Sequence, residues 1–311
     1  MGELWCRLLS PASGEHRRLR YETTAQFSTP LINPSAKLLL TPNPFPVYGA
    51  SADRRMNMPA LPLDLHALEK LRAEELEEAR SIQAEMLPAE SLRAGPVTIS
   101  HGFRPLAAVG GDFLDYFQLM DGTFGIYLCD VSGKGLPAAL YAALSVGTLR
   151  GVHKTGTSPS EALATFNRRL LMRGMPRRHA AIQYAVFDPR SRDLRIASAG
   201  MPGPFHLCAD GCCPLELSGI PPGLFADTRY ETLTVRLCPG DSVLFCTDGI
   251  IDAFDRDEEQ FGVERLQELC RDQRHLSPAE LLGKIFSAVE DFARGCEQYD
   301  DMAAALFLYS G

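Results

Sequence analysis

Four places in the chain put aspartate where an apolar, strand-like run meets a turn: Asp112 in VGGDFLD, Asp130 in IYLCDVSGKG, Asp248 in VLFCTDGIIDA, and the pair Asp300 and Asp301 in EQYDDMAAALF. One such aspartate is ordinary, because Asp is a common turn and helix N-cap residue. Four such places, most of them flanked by glycine, form a set. Carboxylates brought together repel one another and rise in pKa unless a positive charge neutralises them. Hard divalent cations do this, since Mg²⁺ and Mn²⁺ prefer oxygen ligands and keep bound water. Two such ions about 3.5–4 Å apart can hold a hydroxide between them and clamp a phosphoryl oxygen. The residue types therefore point to metal-assisted hydrolysis of a phosphoester.

The neighbouring residues fit such a site. Gly110, Gly111, Gly133, Gly135 and Gly249 permit positive φ and a close approach of backbone to metal. Lys134, in the loop after Asp130, and Arg104, ahead of the Gly-Gly-Asp turn, are candidates to meet a substrate phosphate. The letters GGDF come within one residue of the GGDEF hairpin of nucleotide cyclases, but Phe113 stands where that hairpin needs Glu. No other motif compatible with a cyclase follows, and that reading is set aside. The seven histidines show no metal-ligand spacing. Cys208, Cys212 and Cys213 lack the paired spacing of a zinc knuckle, so the nine cysteines read as free thiols.

The elements that must position the aspartates come next. A chain of 311 residues, 45% of them hydrophobic, is long enough for a sizeable core. Its formal charge of −8 argues against nucleic acid as a partner, but not against phosphate held through metal ions. No run of about 18 apolar residues and no leader pattern are present, so a cytoplasmic protein without membrane contact is expected. Residues 1–60 are rich in Pro, Ser, Thr and Asn and read as a poorly ordered extension. Residues 61–92 read as a linker helix that stops at Pro88. Its apolar positions Leu65, Leu68, Leu71, Leu76, Ala79, Ile82 and Met86 recur about every 3.5 residues, which suits a seam either against a second helix or against the chain's own domain. From 93 to 311 the expected strands are TFGIYLC, QYAVFD, LRIASAG, SVLFCTD and AALFLYS, with helices at LPAALYAALSVGTLRGV, PSEALATFNRRLLMRG and SPAELLGKIFSAVEDFARG. Strands and helices do not alternate regularly, which predicts a layered α+β domain rather than a doubly wound sheet.

The succession ARSIQAEMLP, VGGDFLDYF, CDVSGKGLPAAL, ASAGMPGPF, PPGLF, LFCTDGIIDAF, FGVERL and YDDMAAALF resembles the RsbU/SpoIIE-type branch of the protein phosphatase 2C-like (PPM) serine phosphatases over about residues 78–311. The resemblance implies an αββα sandwich of two antiparallel sheets flanked by helices and preceded by a helical linker, with a binuclear Mn²⁺ or Mg²⁺ centre at one end. It implies Asp112, Asp130, Asp248 and Asp300 as metal ligands, Asp130 bridging the ions, and the carbonyl of Val131 as a further ligand. Asp115 and Asp301 would then hydrogen-bond metal waters. The implied reaction is direct hydrolysis of phosphoserine or phosphothreonine on a partner protein, typically an anti-sigma-factor antagonist of the STAS fold. The linker helix resembles a regulatory element that answers to an activator protein or to homodimerisation. The chain departs from the family at Ala303, where Thr is usual, at GMPGPF in place of Gly-His-Asn-Pro, and at Asp252, where Glu is common. A missing hydroxyl at 303 would loosen the Asp300 carboxylate, which leaves a catalytically weak or inactive binding module for a phosphorylated partner as the alternative.

Overall fold

In a computed structural model, residues 65–152, 156–174 and 178–311 are described; the expected extension 1–60 lies outside them. One antiparallel sheet has the order β1 (Leu92–Ala94), β2 (Val97–Arg104), β11 (Met302–Tyr309), β10 (Ser242–Cys246), β7 (Phe205–Cys208) and β8 (Gly211–Pro214). The other runs β3 (Phe113–Gln118), β4 (Phe124–Val131), β5 (Ala180–Asp188), β6 (Asp193–Ala199) and β9 (Leu233–Arg236), again with every neighbour antiparallel. Helices α2 (Gly135–Arg150) and α3 (Pro159–Met172) cover the second sheet. The short α4 (Asp248–Ile251) with α5 (Gly262–Gln273) and α6 (Pro278–Phe292) covers the first. This is the expected αββα sandwich.

Alternation along the strands builds its three apolar layers. Ala303, Ala305 and Phe307 of β11 meet Ala185 and Phe187 of β5 in the layer between the sheets. Met302, Ala304 and Leu306 of β11 turn outward to Ile285, Phe286 and Val289 of α6. Ile182, Tyr184 and Val186 of β5 turn outward to Ala142, Leu163 and Phe166. Because side chains alternate faces with period 2, a strand covered on both sides reads as a continuous apolar run. Helices α3 and α6 start at capping boxes, Ser158 with Glu161 and Ser277 with Glu280, each followed by proline in the first turn.

The linker forms α1 (Leu65–Ala84) and closes in a tighter turn, with Met86 N–H donating to Gln83 O and Leu87 N–H to Ala84 O. Leu65, Leu71, Leu76 and Ile82 are exposed, so most of the expected seam is not covered by the chain's own domain. Met86 and Leu87 do pack, against the layer under α2 and α3. Among the described residues no helix is long and apolar enough to cross a membrane.

Candidate metal centre

Strand register brings the aspartates to one end of the sandwich. Phe113 at the start of β3 pairs with Cys129 near the end of β4, which sets Asp112 beside Asp130. Cys246 at the end of β10 pairs with Ala304 near the start of β11, which sets Asp248 beside Asp300 and Asp301. Each sheet thus delivers its carboxylates at the same end.

The electrostatics follow from that crowding. Asp112 is buried, and burial first, then Asp130 and Asp301, push its carboxyl well above the usual range. Asp130 is pushed up to about 7 by burial, then by Asp248 and Asp300. Asp248 is raised by burial, then by Asp300 and Asp252. The buried Oδ2 of Asp112 has no hydrogen-bond partner in the protein. A hard cation would relieve both the orphaned buried carboxylate oxygen and the mutual repulsion of these carboxyls, although among the described residues the side chains do not close into a preformed three-ligand cluster. The donor set is oxygen only, which suits Mg²⁺ or Mn²⁺.

The Gly-Gly-Asp turn is clamped from two sides. Asp301 accepts from Leu106 N–H at 2.7 Å through Oδ1, and from Gly111 N–H at 2.5 Å and Asp112 N–H at 3.4 Å through Oδ2. From the other side, Gln83 Nε2 donates to Gly110 O at 2.7 Å while Gly110 N–H donates to Gln83 Oε1 at 3.0 Å. Space explains the glycines here. A Cβ on Gly110 would fall 2.3 Å from Asp301 Oδ2, and one on Gly111 would fall 2.7 Å from Val131 O. Positive φ is confined to Gly133 and Gly135 in the next loop; Gly110, Gly111 and Gly249 do not adopt it. The Val131 carbonyl therefore abuts the Asp112 turn.

Thr247 ties the second pair together. It binds Ala303 through both backbone and side chain: its N–H donates to Ala303 O at 2.9 Å, and its hydroxyl accepts Ala303 N–H at 3.0 Å and donates to Ala303 O at 3.3 Å. The peptide at Ala303 is therefore held without a hydroxyl of its own. Gln298 Nε2 donates both to Asp300 O at 2.7 Å and to Arg104 O at 3.0 Å. Lys134 reaches the cluster directly: its Nζ is 3.1 Å from Asp300 Oδ2, lies over the Tyr299 ring and donates to Tyr299 O.

Two expected residues go elsewhere. Asp115 accepts from Arg150 Nε at 3.0 Å and Tyr127 OH at 3.2 Å, on the helix-covered face of the sheet. Arg104 pairs its guanidinium with Glu290 and lies over the Phe286 ring of α6. Asp301, expected on metal waters, turns both oxygens to backbone amides. Gln83, Thr247 and Gln298 were not anticipated; of these, Gln83 left a signal, a polar residue at helical spacing between Ala79 and Met86.

Known proteins resemble this chain in sequence and fold. The chain is 25% identical over 257 residues to protein IcfG of Synechocystis sp. and 26% identical over 224 residues to phosphoserine phosphatase RsbU of Bacillus subtilis, covering 73% and 69% of this chain. It spans only 40% of IcfG and 64% of RsbU. The SiaA-PP2C domain of Pseudomonas aeruginosa superposes with a TM-score of 0.70 at 22% identity, covering 79% of this chain and 99% of that domain, and so shares the fold. The model of the family Stage II sporulation protein E (SpoIIE) matches residues 120–308, more than half the chain and three of the four clustered aspartate sites, and the chain belongs to that family.

Proposed function

We propose that the chain is a metal-dependent protein serine/threonine phosphatase that hydrolyses phosphoserine or phosphothreonine on a regulatory partner, an anti-sigma-factor antagonist of the STAS type in a partner-switching pathway. The observation that carries this reading is the convergence of Asp112, Asp130, Asp248 and Asp300 from both sheets, with an unpartnered buried oxygen on Asp112. The similarity to RsbU, a phosphoserine phosphatase, supports the substrate class.

Asp112, Asp130, Asp248, Asp300 and the Val131 carbonyl are the groups that would hold two Mn²⁺ or Mg²⁺ ions. Bound there, the ions would supply a water of lowered pKa and a clamp for the phosphoryl oxygens. The protein's own part is positional. Asp301 and Gln83 fix the turn that carries Asp112, Thr247 fixes the strand that follows Asp300, and Lys134 stands at the mouth, where its ammonium can meet a substrate phosphate. Thr247 pairs both the N–H and the C=O of residue 303, so the absent hydroxyl strands no backbone group beside Asp300, which favours the enzyme over the inactive binding module. The exposed apolar face of α1 suits an activator protein or a second copy of the linker, and a cytoplasmic setting fits both.

The test is selectivity for a protein substrate. With Mn²⁺ present, phosphate release from a phosphoserine-bearing STAS-domain protein should exceed release from free phosphoserine at equal concentration by at least about a hundredfold in kcat/KM, the share expected from remote binding contacts. Equal rates on the two would reject the proposed partner class.

A further inference from the structure

We propose that Gln83 is a positioning residue through which the last turn of α1 sets the conformation of the metal-binding turn; this rests on the reading of the aspartate cluster as a metal centre. Gln83 is the buried residue of a 20-residue helix whose other described side chains are exposed or half-buried. Filling space does not explain it, since Ala79 and Met86 on the same face are apolar and a buried amide is costly unless satisfied. It is satisfied by one partner: the donor and the acceptor of its amide both go to Gly110, two residues before Asp112.

The Gly110-Gly111 peptides have no side chains with which to fix themselves, and glycine loses the most freedom on ordering. Asp301 holds Gly111 and Asp112 from within the domain, whatever α1 does. Gln83 holds Gly110 only while the helix end is seated. Arg150 seats that end, donating to Met86 O at 3.0 Å while bonded to Asp115. This accounts for Asp115, the aspartate that does not join the cluster. Binding a cation at Asp112 and seating the last turn of α1 are then linked, and linkage is reciprocal: whatever unseats the helix weakens the site, and cation binding tightens the seat.

The experiment uses the full chain as wild type, Gln83→Met, Gln83→Glu and a control on the same helix, Ser81→Ala. Mn²⁺ affinity is read by calorimetry, amide exchange at residues 82–87 and 110–112 by mass spectrometry with and without Mn²⁺, and global stability by melting. Gln83→Met keeps the length but makes neither bond, and should weaken Mn²⁺ about tenfold, the worth of two neutral hydrogen bonds. Gln83→Glu keeps the acceptor and loses the donor, so it should fall between Met and wild type. Exchange at Gly110 should quicken in Gln83→Met and much less in Gln83→Glu, which keeps the acceptor for Gly110 N–H, and Mn²⁺ should slow exchange at 82–87 more in wild type and Ser81→Ala than in Gln83→Met. A lower melting temperature with unchanged Mn²⁺ affinity would make Gln83 merely structural and overturn the proposal, as would unchanged exchange at Gly110. Faster exchange at Gly110 in a protein whose wild type binds no Mn²⁺ would uphold the positioning role and reject the metal centre instead.

Discussion

The backbone N–H of Gly111 donates to the carboxylate of Asp301 at 2.5 Å, and this bond joins the two sheets at the end where the aspartates meet. Gly111 leads into the strand that opens one sheet, and Asp301 leads into the central strand of the other. Removing the carboxylate would strand three buried or half-buried amides, those of Leu106, Gly111 and Asp112. Asp301→Ala should therefore lower unfolding stability by about 3 kcal/mol, measured by urea titration. Gly110→Ala should destabilise as well, because its Cβ would fall 2.3 Å from Asp301 Oδ2. A loss within the scatter of surface substitutions for both would contradict this role.

Lys134 stands 3.1 Å from Asp300 as a tethered cation. On the proposed ligand set, a divalent ion at Asp300 competes with it for that carboxylate. Lys134→Met should tighten Mn²⁺ binding by several-fold in calorimetry, since an exposed ion pair is worth up to about 1 kcal/mol. It should also lower kcat/KM if the freed ammonium meets the substrate phosphate. Weaker Mn²⁺ binding in the variant would contradict the competition.

The acid limb of stability should carry the mark of Asp130. Its carboxyl is pushed up to about 7, so the folded chain holds a proton that the unfolded chain releases near pH 4. This contribution is fully present below that lower value and is lost as pH rises through about 7. The melting temperature of metal-free wild type, taken relative to Asp130→Asn, should fall as pH rises from about 4 to about 7 and level off above that. Mn²⁺ should raise it most above pH 7, where no proton competes. A difference that grows with pH in the absence of metal would contradict the crowding of these carboxyls.

Leu76 and Ile82 are 37% and 61% exposed on the helix that carries Gln83. If that face serves an activator or a second linker, Leu76→Asp with Ile82→Asp should lower the catalytic rate or its activation and leave the melting temperature of the domain within a few degrees. An unchanged rate would remove the regulatory role assigned to the helix.

How far the site could be read from sequence depended on strand parity. The strands next to the aspartates were legible because both faces of β4, β5, β10 and β11 are covered and their runs stay apolar. Short or half-exposed strands such as β8 and β9 lack that signal. Asp115 lies three positions beyond Asp112, an odd offset that turns it to the opposite face of the sheet, toward Arg150. Arg104 pairs in register with Met302, so it shares the outward face and meets α6. Spacing along the chain identified the carboxylates; only pairing between strands decides which of their neighbours face them. The clamps on Gly110 and Gly111 come from residues 27 and 190 positions away, and no local pattern announces them.

The central claim is tested most directly by phosphate release from a phosphoserine-bearing STAS-domain protein, measured for wild type and Asp248→Asn across a Mn²⁺ titration, with both proteins shown to be folded. The account predicts turnover that requires Mn²⁺ and falls by at least about a thousandfold in the variant, the scale of losing a principal electrostatic contribution. Metal-independent turnover, or equal turnover in Asp248→Asn, would contradict it.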